Sequence, residues 1–187
     1  MALPLGMFMQ RKFLLKIHMY TAAFFAPAVL LVAISGGLYL IGVKGEVDQQ
    51  TIYHSNAATV DIKSTALKAD VSAVLAKAGV DDYEFEYVKI KGDKLYTRPT
   101  SAQHYIIHLT ADGLDVIKAS PSPQSRMIEL HKGHGPTAFK TFQKVFAVGL
   151  IFIILSGLWL GISAARLRRS TLLTAAAGSA VFVLLLL

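Results

Sequence analysis

The sequence predicts a membrane α+β protein. Three transmembrane helices are expected, with a small extracytoplasmic domain of one helix and an antiparallel sheet between the first and second. Three observations predict this. Uncharged, mostly apolar stretches run from Met19 to Val43, Val145 to Ala165 and Ser170 to Leu187, and about 20 such residues suffice to cross a bilayer as a helix. Basic residues without acidic neighbours flank those stretches: Arg11, Lys12 and Lys16 before the first, and Arg166, Arg168 and Arg169 between the second and third. Every acidic residue, from Glu46 to Glu129, falls in the block between the first two stretches. There one segment of helical periodicity precedes four of alternating character.

Residues 1–12 read as a cytoplasmic lead and residues 13–43 as the first transmembrane helix. Its uncharged part reaches roughly 37 Å at the helical rise per residue. A cleaved signal peptide is excluded, because a signal h-region is shorter and ends at a small-residue cleavage site. Here Ser35-Gly36-Gly37 continues into Leu38-Tyr39-Leu40-Ile41. Pro27 sits mid-span, where its missing N–H is expected to kink the helix. Gly36, Gly37 and Gly42 at the other end permit close helix approach.

Orientation follows from charge. The two basic patches lack Asp and Glu, and the positive-inside rule places both in the cytoplasm. The intervening block is then outside, and the membrane is the bacterial inner membrane. The net charge of +7 comes largely from these patches, which topology requires, so nucleic-acid binding is not expected.

Residues 44–122 form the extracytoplasmic domain. Leu67, Val71, Val74 and Leu75 recur at helical spacing, and Gly79 is a stop. "DYEFEYVKI" alternates Tyr83, Phe85 and Tyr87 against Glu84 and Glu86, predicting a half-buried strand. "KLYTRP", "QHYIIHLT" and "LDVIKAS" predict three more, joined by the turns "KGDK" and "ADG". Residues 123–138 are an interfacial helix and junction interrupted by Gly133, Gly135 and Pro136. The second transmembrane helix covers 139–165, a basic turn 166–170 and the third helix 171–187. The small residues Ala175 to Ala180 of the third helix are expected to pack on another helix.

The chain has no cysteine, which excludes disulfides, thiolate catalysis, iron–sulfur clusters and covalently attached haem. No phosphate-binding loop, dinucleotide fingerprint or metalloprotease helix is present. Ser35 and Ser156 lie in membrane helices with no base apparent for either. Glu84 and Glu86 read as a solvated strand face. No complete catalytic constellation emerges.

The histidines are the remaining chemistry. His18 stands at the cytoplasmic end of the first span, where an ionisable group is either a functional ligand or an interfacial side chain beside Lys16 and Tyr20. His131 and His134 lie in "LHKGHG" at the mouth of the second span. If helical they share a face and can hold a divalent metal with Glu129; otherwise they belong to a polar junction with Lys132 and Lys140 at the headgroups. His104 and His108 point to one strand face about 13 Å apart, too far to share an ion, and with His54 they read as surface or partly buried.

Taken together, "RKFLLKIH", "SGGLYL", the helix-plus-meander ending at Asp112-Gly113, and "LHKGHG" leading to "SGLWLGI" resemble the PepSY-associated transmembrane proteins in their short form. The resemblance covers roughly Arg11 to Ile162. It implies a PepSY-like extracytoplasmic domain. It also implies kinship with membrane reductases that carry haem b between histidines, making His18, His131 and His134 candidate cofactor-binding residues, with His131 at the position matching the motif. His18 and His131 are expected at opposite leaflets and cannot share a haem. The second and third spans hold no His or Met. Each histidine thus offers half of a two-sided site, and the other ligand must come from a homodimer or a membrane partner subunit.

Two functions are therefore expected as alternatives. One is an accessory electron-transfer protein binding haem b. The other, implied by PepSY domains that inhibit or chaperone peptidases, is a non-enzymatic interaction module. Divalent metal binding at His131 and His134 is a third.

Overall fold

The computed structural model describes residues 5–187, with side chains from residue 11 onward. The elements in chain order are helix α1 (Leu5–Leu40), strand β1 (Val47–Ser55), helix α2 (Leu67–Lys77), strands β2 (Tyr87–Lys91), β3 (Lys94–Arg98), β4 (His104–Thr110) and β5 (Gly113–Pro121), and helices α3 (Pro123–His131), α4 (Thr137–Ser163) and α5 (Arg168–Leu186). Three helices are long and apolar enough to cross a membrane: Arg11–Leu40 within α1, all of α4, and α5. With the five-stranded sheet they define a membrane α+β fold. The chain divides into two units, residues 1–29 with 144–187, and residues 30–143.

In the first unit α1 and α4 run antiparallel along a seam of large side chains over glycines. A Cβ on Gly149 would collide with the Phe25 ring, and one on Gly157 would lie 3.2 Å from His18 Cε1. Phe25 also packs on Phe146, with ring centroids 5.6 Å apart. Apolar helices in lipid gain little from hydrophobic burial against each other, so close packing at small residues carries the association. α1 continues unbroken through Pro27. It also begins by Leu5, so part of the expected cytoplasmic lead is helical; residues 1–4 of that lead lie outside the described residues. The basic turn is shorter than expected. Arg168 and Arg169 belong to the first turn of α5, and Arg168 Nε donates to the Ile162 carbonyl at the end of α4 (2.9 Å). No described residue of α5 is buried. The expected packing of its small residues on another helix therefore does not occur within the chain.

In the second unit the sheet is antiparallel with order β1-β5-β4-β3-β2. One face carries Leu95, Tyr105, Ile107, Leu114 and Val116, which pack with Phe85 and with Val71, Val74 and Leu75 of α2. Helical spacing on α2 and alternation on β3, β4 and β5 bring these residues together. Each fully buried aliphatic side chain contributes about 1.5–3 kcal/mol.

Two strand expectations are corrected. The sheet has five strands rather than four. β1 escaped notice because it is a polar, mostly exposed edge strand whose alternation is broken by an irregularity between Thr51 and Tyr53. The strand expected from Asp82 begins only at Tyr87. Tyr83 and Phe85 do turn inward, stacking at 5.9 Å, but from an irregular segment. Tyr83 Oη there shares a hydrogen bond with Thr97 Oγ1 at 3.1 Å.

Ile107 is fully buried. Ile107→Ala is expected to cost about 2–5 kcal/mol through lost transfer energy and a residual cavity. Hydrogen exchange reads this directly: amides of β4 and β5 should lose protection while those of α4 keep theirs. Unaltered β4 protection would contradict this account of the core.

Candidate functional site

Two of the three candidate histidines meet serines. His18, on α1, lies with Nδ1 2.8 Å from Ser156 Oγ on α4. Ser156 is buried, and its hydroxyl donates one turn back to the Phe152 carbonyl at 2.6 Å. In the second unit, His131 at the end of α3 lies with Nδ1 2.9 Å from Ser35 Oγ on α1. Ser35 is fully buried, and its hydroxyl donates to the Val32 carbonyl at 3.2 Å.

Each serine–histidine contact can run in either direction: the hydroxyl proton can go to the carbonyl on the serine's own helix, with Nδ1–H donating to Oγ, or to Nδ1 itself. The first direction leaves Nε2 of the neutral ring with a free lone pair, the state a metal-ligating histidine requires.

The two arrangements share a further part. The residue after each serine is a glycine, and a Cβ there would meet the imidazole Cε1 of the docked histidine: 3.6 Å at Gly36 for His131 and 3.2 Å at Gly157 for His18. "ISGGLYL" and "LSGLWL" are thus two copies of one docking device. That echo was the signal by which Ser35 and Ser156 could have been found. The expectation that no base is available to either serine is corrected, since an imidazole stands on each.

His134 is placed apart from His131. α3 ends in a Schellman motif: His134 N–H donates to the Glu129 carbonyl (2.9 Å) and Gly133 N–H to the Leu130 carbonyl (3.0 Å), with Gly133 at φ +77°. This reversal means that the two histidines do not share a helical face, correcting that expectation. It brings His134 Nδ1 to 2.7 Å from Glu129 Oε2. Among the described residues no group of three or more His, Asp or Glu side chains converges as a metal site.

Glu129 gathers polar partners. Thr100 Oγ1 donates to Oε2 at 2.6 Å, Lys132 Nζ donates to Oε1 at 2.9 Å, and Arg98 Nη1 lies 4.0 Å from Oε2. Burial alone would raise this carboxyl's pKa. The hydrogen bonds from Thr100, Lys132 and His134, with the Lys132 charge, outweigh it and bring Glu129 down to about 2.

A second carboxylate ties the sheet to α4. Glu86 accepts from the Thr137 backbone N–H and hydroxyl, both at 2.7 Å, capping the helix start where orphan N–H groups and the dipole favour an anion. Those two bonds lower its pKa. Glu86 was expected to be merely solvated; it is exposed, but it is a cap.

The other histidines are held locally. His54 pairs with Asp115 at 2.6 Å and His108 with Asp93 at 2.8 Å. His104 is buried against the Ala102 carbonyl (2.9 Å), and burial lowers its pKa.

These features belong to a membrane-embedded protein with an α+β unit between its first two spans. The PepSY-associated TM region family matches residues 15–184, and the chain belongs to that family. No curated protein and no solved structure matches it.

Glu129 supplies a pH prediction. Its folded pKa of about 2 lies below the ordinary 4.5, so its contribution is complete above 4.5 and is lost as pH falls toward 2. The side chain is partly exposed, and solvent screening reduces the amplitude to about 1–2 kcal/mol. Thermal midpoints measured across this window should fall less steeply in Glu129→Gln than in the wild type. Parallel slopes would show that Glu129 is not the linked group.

Proposed function

We propose that this PepSY-associated membrane protein is an accessory electron-transfer subunit that binds haem b through His18 and through His131. The observation that carries the reading is the pair of serine-docked imidazoles, each with Nδ1 held against a buried hydroxyl. A metal-ligating histidine is normally oriented in this way by a partner on its other nitrogen, and loss of such a partner typically weakens metal affinity by about 10–100-fold.

At His131 the lining residues support this reading. His131 lines a cavity of about 400 Å³ whose other walls include Gly36, Tyr39, Leu40 and Ile128, with Lys132 among its lining residues. A largely apolar slot with one cation suits a flat macrocycle bearing carboxylates. Bound haem would supply reversible one-electron transfer. The chain's part would be to hold it through the His18 and His131 imidazoles and to orient those rings from Ser156 and Ser35. Neither serine pair contains a second imidazole, so the opposite ligand is assigned to a second copy or a membrane partner. His134, committed to Glu129, is left out of this reading.

The same proposal takes the N-terminus and Arg166 to Arg169 as cytoplasmic, and the sheet unit as periplasmic at the bacterial inner membrane, on the charge asymmetry of the flanks. A second reading, a non-enzymatic interaction module, is favoured by a separate charged cavity in the sheet unit.

The test is a reduced-minus-oxidised spectrum of protein purified from haem-replete membranes. A b-type signal is expected, with His18→Ala and His131→Ala each removing part of it. Ser156→Ala should retain haem with affinity about 10–100-fold weaker. A colourless wild type would overturn the electron-transfer reading and leave the interaction module.

A further inference from the structure

The sheet face opposite α2 has a different character from the core face. Register places Lys89 opposite Tyr96 and Tyr96 opposite Ile106, so these residues project to one side. With Lys91, Arg98 and His104 they line a cavity of about 420 Å³, closed on another side by Glu129, Lys132 and His134. Four permanent cations thus face one carboxylate.

Glu129 offsets only part of the set. Its oxygens are occupied by Thr100, Lys132 and His134, and Arg98 stands 4.0 Å away. The Arg98 side chain is largely buried, with Nη1 donating to Thr100 Oγ1 at 2.7 Å, while its Nε is buried with no acceptor. An unsatisfied buried donor costs about 1–3 kcal/mol, more when charged. Lys89 and Lys91 are exposed on β2 and have no carboxylate partner among the described residues. Two positions apart on a strand, they point to the same face about 7 Å from each other, where like charges repel. An arginine fork with a free N–H, lysines around it and an apolar floor of Tyr96 and Ile106 is the arrangement that recognises carboxylate or phosphate groups. The volume is that of a small-molecule site.

We propose that this cavity binds a ligand carrying two or more oxyanion groups, carboxylate or phosphate, with Arg98, Lys89, Lys91 and Lys132 as its counter-charges. The proposal does not rest on either serine–histidine pair. The oxyanions have two possible sources, a soluble small molecule or the headgroup of an anionic lipid.

The test uses the full chain in nanodiscs of phosphatidylcholine, titrated calorimetrically with pyrophosphate and with tricarballylate. Saturable binding of either is expected, weakened at least tenfold in the double variant Lys89→Gln/Lys91→Gln. Those side chains are exposed and leave the core intact, which circular dichroism verifies; Arg98→Gln is the second variant. In a parallel arm, acetylation of Lys89 and Lys91 is compared in phosphatidylcholine and phosphatidylglycerol discs. Protection only in phosphatidylglycerol, without soluble-anion binding, identifies the lipid headgroup as the source. Absence of both effects, or anion binding undiminished in the double lysine variant, overturns the proposal.

Discussion

A hydroxyl in an apolar helix has one proton and a carbonyl within reach one turn back. When Ser35 and Ser156 use their protons in this way, each presents a lone pair to a neighbouring helix. The groups that meet them are the imidazole Nδ1 atoms of His131 and His18. Both serines are buried; without those partners an acceptor and a donor would be left unmatched, at about 1–3 kcal/mol for each buried group. In each unit this single contact fixes which nitrogen of a histidine is engaged.

A glycine follows each serine. At Gly157 a Cβ would crowd His18 Cε1 at 3.2 Å, so the bare backbone there admits the ring, whereas a Cβ at Gly36 would make an ordinary contact of 3.6 Å with His131 Cε1. Packing and chemistry here are one constraint: small residues let helices approach, and approach turns a weak polar pair into an oriented one. The same economy appears at the end of α3. Gly133 accepts the left-handed turn of the Schellman motif, and this separates His131, which docks on α1, from His134, which joins Glu129. Two histidines three positions apart thereby serve different surroundings.

Much of the fold was legible. The spans were readable because a bilayer demands uncharged length, and α2, β3, β4 and β5 because burial imposes their periods. β1 was not, since an edge strand with polar faces and a broken alternation has no period to show. Residues Asp82 to Glu86 misled for the opposite reason: Phe85 is buried and Tyr83 partly buried two positions before it, and burial at that spacing looks like a strand whether or not the backbone pairs. Of the candidate site, the histidines could be named from their places at the span ends, but which serine each one meets could not, since the Ser-Gly echo marks both serines and pairs neither.

The sequence by itself determined which segments are oily enough for lipid, where the charges lie, and that two Ser-Gly steps recur in different helices. Those are properties of neighbours along the chain, set by hydropathy and local backbone preference. Only the tertiary structure decided that His18 lies on Ser156, that His131 lies on Ser35, and that Arg98 faces Glu129 with a donor to spare. These partners are 138, 96 and 31 positions apart. A hydrogen bond acts over about 3 Å of space, and nothing local to either partner specifies the other.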